Sequence, residues 1–343
     1  MRFTEVENLS DLREFMTTPT RGLVECLGRL DGDIIVLGAG GKMGPELVET
    51  LVKANREAGR ERRIGAASRF SNPEVGKRLL ELGVELHFGD LRMQEFLDGL
   101  PDCRNVVFMP GMKFGSSGDW TSAFHQNSIL PYLVGERYTS SRIVVFSSGN
   151  PYPQTPVEEG GCGEDDELKP RGVYGWNVVA RESSFRITSE RHEEQTTGLY
   201  RLFYSQHLCY GVLVDLARMV QEGEEISLSM PAVNLISQRD AIDVALKLLE
   251  HCENPPFVLN AAGEIVRVRE IAEKMGQIMN REPRLVEPEP ETALLGKDER
   301  CRELFGDYRD TTGEMIEAAA RWVMRGNETW DMPTMFGKVD HLY

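Results

Sequence analysis

The chain has 343 residues, 41% hydrophobic and 27% charged, which excludes a disordered or fibrous protein and leaves room for about two domains. Its 55 acidic and 39 basic residues give a formal net charge of -16, which opposes binding to nucleic acid or an anionic membrane. No apolar run approaches the ~18 residues of a bilayer span, and MRFTEVENLSDLREF is too acidic and polar for a targeting peptide, so a cytoplasmic location is expected.

In chain order, a short amphipathic lead-in (Leu12, Phe15, then Leu23, Val24, Leu27, Leu30) is expected to pack on the domain behind it. Strands and helices then alternate: strand Ile34 to Leu37, helix from about Lys42, strand Ile64 to Ser68, helix Pro73 to Leu82, strand Val84 to Phe88. Strand Asn105 to Met109, a long helix Trp120 to about Arg137 and strand Arg142 to Phe146 continue the pattern. Apolar strands flanked by helices predict an α/β fold, a doubly wound parallel sheet of Rossmann type, whose ligand sits beyond the carboxyl ends of the strands. The segment VEEGGCGEDDELKP reads as an exposed linker or lid. Six cysteines without a CxxC pair and six histidines without ligand spacing predict neither disulfide nor metal.

DIIVLGAGGKMG carries the strongest signal. A buried-strand pattern runs into Gly38, Gly41 and Gly44, with Lys42 and Met43 between the last two, and a helical pattern comes next. Glycines permit a tight turn and close backbone approach, and a helix N-terminus offers N–H groups to an anion, so a dinucleotide pyrophosphate is the expected ligand. After the second strand stand Ser68 and Arg69 rather than an acid. A hydroxyl and a guanidinium suit a ribose 2′-phosphate, with Lys42 as a second cation, so NADP is expected, with NAD the alternative. Asp90, in FGDL, would accept from the adenine amino group or else cap a helix starting at Leu91.

Several motifs in order resemble the extended short-chain dehydrogenase/reductases, the group of nucleotide-sugar epimerases and dehydratases, from about Asp33 to about Val323. GAGGKMG resembles the glycine loop, FGDL its acidic-leucine pair, and MPGMKFG, with Pro110 and Gly111, the loop after the fourth strand. VVFSSGNPY resembles the fifth strand, VYGWNVVARES the segment with the catalytic Tyr, and YRLFYSQHLCYG, NLISQRDAIDVALKLL and PPFVLNAAGEIVRVREIAEKMGQIM the later segments. The resemblance implies a smaller C-terminal α+β substrate domain. It divides the chain into an extension (1–32), a dinucleotide domain (33–204, with 232–260 returning to it) and a substrate domain (205–231 and 261–343).

It also implies hydride-transfer chemistry, with Tyr174 as acid or base and Ser148 orienting the same substrate oxygen. The usual lysine four residues beyond the Tyr is replaced by Val178, which can neither stabilise a tyrosinate nor hold a ribose. Arg181, seven residues on, returns to the Tyr174 face about 10 Å along the helix and is a candidate helper, or else pairs with Glu182 or the acidic loop. Lys113 is the other candidate cation, or a solvated loop lysine.

A sugar-like substrate is expected, with Lys113, Phe114, Asn127, Asn150, Tyr152, Tyr204, Gln206 and Tyr210 as candidate contacts and Gln126 and His207 nearby. Asn127 lies where the family places an Asn. A homodimer through Trp120 to Arg137 and Tyr174 to Arg191 is implied in the same way. The tail TWDMPTMFGKVDHLY, rich in aromatic residues and methionine, is expected to pack on the protein or a neighbouring subunit. Two readings stand: an NAD(P)-dependent epimerase, dehydratase or dehydrogenase, and a catalytically inactive NADP(H)-binding sensor or regulatory protein.

Overall fold

A computed structural model describes residues 1–113, 115–330, 332 and 334; Phe114 and most of the tail beyond Trp330 lie outside the described residues. The central sheet comprises β1 (Ile34–Leu37), β2 (Ile64–Ser68), β3 (Glu85–Phe88), β4 (Asn105–Phe108), β5 (Arg142–Ser148), β6 (Thr196–Leu202) and β7 (Phe257–Ala261). Its spatial order is β7-β6-β5-β4-β1-β2-β3, and every neighbouring pair is parallel. Strand order reverses at β1, between β2 and β4, so a crevice opens there beyond the strand ends. Leu37 stands in register with Ala67 and Phe108, which brings Gly38, Ser68 and Met109 to one edge.

β1 is buried on both faces because its alternate side chains feed two cores. Ile34 and Val36 join Leu23, Leu27, Leu47 and Leu51 on one face; Ile35 and Leu37 join Leu130, Val134 and Phe185 on the other. A third core unites Phe15, Met16, Leu213, Leu216, Ile271, Met275, Met315 and Trp322 beside a small sheet built on Ala232–Ser237. The lead-in forms two helices, Leu9–Thr17 and Arg21–Arg29, each capped by a side chain, Asn8 and Thr20. The first buries Leu12, Phe15 and Met16 in the third core and the second buries Leu23, Cys26, Leu27 and Leu30 against the sheet, so the segment ties two cores together. Each fully buried large side chain contributes roughly 1.5–3 kcal/mol to that tie.

Three local readings change. β5 extends to Ser148, because Ser147 and Ser148 pair with Arg201 and Leu202 of β6. The long helix is interrupted by a π turn, His125–Ile129, between Trp120–Phe124 and Leu130–Arg137. Pro131 lacks the N–H that would bond to the carbonyl of Asn127, and a widened turn accommodates that loss. The acidic segment keeps its exposed carboxylates, among them Glu158, Asp165 and Glu167, but is anchored at its middle: Cys162 is buried and donates its N–H to Leu295 O at 3.0 Å, and Glu164 accepts from Asn260 N at 2.9 Å.

Candidate functional site

The glycine-rich turn forms where β1 meets the Gly44–Glu57 helix. Gly38 has φ +81°, and a Cβ there would lie 2.9 Å from Pro110 N; one on Gly40 would lie 2.6 Å from Ser68 Oγ. A Cβ on Gly44 would lie 2.2 Å from Ala39 O, so that glycine is needed for the turn to close onto its helix. The cradle would be filled by any larger residue, and the adjoining helix has no side chain capping its N-terminus. Its positive end therefore faces the crevice, the chemistry a pyrophosphate requires.

Two cavities meet at this turn, sharing Gly38, Gly41, Met109 and Gly111. The first, about 480 Å³, is lined by Ser68, Arg69, Asp90, Leu91, Pro110 and Gln126 among others. Asp90 accepts from Arg92 through Nε (3.0 Å), Nη2 (2.6 Å) and the backbone N–H (3.0 Å). The Arg92 guanidinium holds its carboxyl down to about 2, so it is ionised at neutral pH. The next helix starts at Gln94, so Asp90 does not cap a helix at Leu91.

The second cavity, about 470 Å³, is lined by Lys42, Met43, Gly44, Lys113, Tyr204, Gln206 and Tyr210 among others. Lys42 is thus separated from Ser68 and Arg69: its Nζ sits 3.8 Å from the centroid of the Tyr210 ring. Burial lowers its pKa while Asp215 opposes the shift. A third cavity, about 210 Å³, contains Ser148, Asn150 and Tyr174 and shares Lys113, Phe203 and Tyr204 with the second. Ser148 Oγ donates to Asn150 Oδ1 and accepts from Asn150 N, both at 3.2 Å. Lys113 Nζ lies 5.9 Å from the ring centroids of both Tyr174 and Tyr204, and burial, aided by Lys42, pushes it down to about 8. It is a cleft residue, not a solvated loop lysine.

Six residues singled out from sequence are buried outside the linings of these three cavities. Val178 is fully buried. Arg181 is buried and donates to Phe146 O at 2.7 Å and to Asn127 Oδ1 at 2.5 Å. Burial lowers its pKa, with Tyr174 the first opposing influence. Asn127, on the π turn, grips the loop after β4 by accepting from Met112 N (2.9 Å) and donating to Met112 O (2.7 Å). Glu182 pairs with Arg201 at 2.7 Å and not with Arg181, and Tyr152 is buried with its hydroxyl donating to Asn260 Oδ1 at 3.0 Å. His207 is buried, stacked on Trp330 and pushed down to about 4 by desolvation. Among the described residues no group of three or more His, Cys, Asp or Glu side chains is placed to hold a metal. Sequence reasoning missed Arg92, Phe203, Gln238 and Thr334 as cavity residues; Arg92, two positions after Asp90, carried a readable signal.

No family model and no curated protein matches the chain. Solved structures do. MoeE5, in complex with UDP-glucose and NAD, matches at TM-score 0.67 and 20% identity, over 86% of this chain and 99% of its own. UDP-glucose 4-epimerase of Thermus thermophilus, in complex with NAD, matches at 0.69 and 16%, over 84% and 98%. The UDP-Glc/GlcNAc 4-epimerase of Campylobacter jejuni matches at 0.69 and 16%, over 85% and 99%. The chain shares the fold of these solved structures, two of which are nucleotide-sugar 4-epimerases.

Proposed function

We propose that this chain is an NAD(P)-dependent enzyme of the epimerase or dehydratase type, acting on a sugar, sugar acid or nucleotide sugar. The observation that carries the reading is the run of cavities from the glycine-rich turn to Ser148 and Tyr174. The first two volumes lie within the ~300–1,000 Å³ of small-molecule sites. Gly38, Gly41, Met43 and Gly44 hold the pyrophosphate, Ser68 and Arg69 a ribose 2′-phosphate, Asp90 and Leu91 the adenine, and Pro110, Gly111 and Tyr174 the nicotinamide half. NADP is the preferred cofactor on the charge of Arg69; NAD, present in two of the three similar structures named above, is the alternative.

The bound nicotinamide supplies hydride acceptance and return. Tyr174 moves the proton at the substrate oxygen, Ser148 orients that oxygen, and Arg181 adds positive charge from the buried side. Lys113, Asn150, Tyr204, Gln206 and Tyr210 contact the sugar, while Asn127 and Tyr152 support the walls from behind. The buried Val178, where the family has its lysine, favours one other reading, a nucleotide-binding sensor without turnover. A panel of UDP-sugars incubated with the protein and NADP⁺ or NAD⁺, with products separated by chromatography, tests this. The enzyme reading predicts conversion that Tyr174→Phe removes while the dinucleotide still binds, held by the glycine-rich turn and the retained ring; the sensor reading predicts binding, no conversion and a silent Tyr174→Phe.

The same proposal extends to assembly and organisation. Trp120, Phe124 and Ile129 on one helical segment and Trp176 and Ile187 on another are exposed apolar residues, which a twofold dimer through these helices would cover. Residues 33–204 with 232–260 form the nucleotide-binding part, 205–231 and 261–343 the substrate part, and 1–32 the extension. Six unpaired thiols, five of them buried, suit a reducing cytoplasm. No described helix is long and apolar enough to cross a membrane.

A further inference from the structure

Lys42 stands in the glycine-rich turn, yet its surroundings come from the far end of the chain. Its ammonium lies over the Tyr210 ring, and that ring stacks on Trp330 with centroids 6.0 Å apart and planes at 28°. Trp330 also stacks on His207 at 5.1 Å and donates its backbone N–H to Cys209 O at 2.7 Å, so the 207–210 loop and Trp330 form one stack. Four residues on, Thr334 is buried and donates from both its N (2.8 Å) and Oγ1 (2.6 Å) to Asp215 Oδ2. Asp215 is the carboxylate that attracts Lys42, and Thr334 lines the same cavity as Gly38, Gly41 and Gly44.

We infer that Trp330 and Thr334 are working parts of the nucleotide site, positioning residues that set the Lys42 ammonium beside the pyrophosphate of a dinucleotide. The inference rests on the reading of the cleft as a dinucleotide site. Placement supports it: Arg69 and Arg92 line the first cavity, Lys42 the second, and the glycine-rich turn common to both lies between. An unrestrained lysine loses much rotamer freedom when it engages an anion. Held beforehand over the Tyr210 ring, with the charge of Asp215 acting on it, Lys42 loses less on binding, so affinity rises without a new ligand contact. Trp330 secures Tyr210 in this arrangement, and Thr334 secures Asp215.

The test is a double-mutant cycle read by calorimetry with NADP⁺, or with NAD⁺ if that binds more tightly. Lys42→Met and Trp330→Ala each raise the dissociation constant about tenfold, the scale of one charge-assisted contact, and the double variant binds no worse than Lys42→Met alone. Thr334→Val, which keeps the backbone donor, shows the same pattern at about threefold. Adenosine 2′-monophosphate, which lacks the pyrophosphate, binds all folded variants equally; thermal unfolding identifies which variants are folded, and Thr334→Val carries the test if Trp330→Ala is not. The inference is overturned if Trp330→Ala and Thr334→Val bind the dinucleotide like the wild type, or if their effects persist undiminished in the Lys42→Met background. Wild-type protein that binds neither dinucleotide would instead refute the underlying reading of the cleft.

Discussion

Replacing Arg69 by alanine removes one of two guanidinium groups from the first cavity, where Arg69 and Arg92 face the carboxylates of Asp90 and Asp119. The balance of formal charge shifts from neutral to one net negative. Arg92 is already committed to Asp90 through both Nε and Nη2, so Arg69 is the cation left to meet a 2′-phosphate. The side chain is exposed, which places the interaction between the limits of about 1 kcal/mol in water and about 4 kcal/mol near a protein surface for unit charges 4 Å apart. Arg69→Ala is therefore expected to weaken NADP(H) by about 1–3 kcal/mol, roughly 5- to 150-fold in dissociation constant, and to leave NAD(H) nearly unchanged. Calorimetric titration of both cofactors into both proteins reads this directly. Added salt should narrow the difference, because an exposed pair is screened. Equal affinity of the wild type for the two cofactors, or an equal loss of both in the variant, would refute the reasoning.

The same structure leads to three further outcomes. Glu182→Gln leaves Arg201 as a buried charge without its carboxylate, with 4% and 3% of the two side chains exposed, and should cost about 3–5 kcal/mol in urea unfolding; a loss below about 1 kcal/mol would show that the pair is not a stability element. His207 has its pKa pushed from 6.5 to about 4 in the folded state, so the unfolded chain binds the extra proton between those values; its contribution is full above about pH 6.5 and is lost as pH falls toward 4, and His207→Gln should flatten stability across that window. Trp176→Glu introduces a charge at a side chain that is 63% exposed in the isolated chain; light scattering should show a dimer for the wild type and 38.7 kDa for the variant, and a wild-type monomer would contradict the dimer.

The glycine-rich turn and the parallel strands were legible because their causes are local. Close backbone approach demands glycine at Gly38 and Gly44, and full burial of a strand writes an unbroken apolar run such as Ile34 to Leu37. Side-chain destinations were less legible. Lys42 and Ser68 belong to neighbouring turns, but Tyr210 and Asp215 draw the lysine to the opposite side of the glycine loop, and nothing near Lys42 in sequence indicates this. Helical spacing put Arg181 on the Tyr174 face, but it could not show the π turn that brings Asn127 to the guanidinium, which depends on a proline in another helix. Tyr152 comes four residues after Ser148, but the buried Arg201 and Asn260 claim its hydroxyl. The bond from Thr334 to Asp215 spans 119 residues and had no sequence signature.

The most direct test of the central claim is a crystal structure of the protein grown with NADP⁺. The account predicts the pyrophosphate against Gly38 to Gly44 at the start of the Gly44–Glu57 helix, the 2′-phosphate on Ser68 and Arg69, and the nicotinamide directed toward Ser148 and Tyr174. A dinucleotide bound elsewhere, or a cleft still empty at saturating concentration, would contradict it.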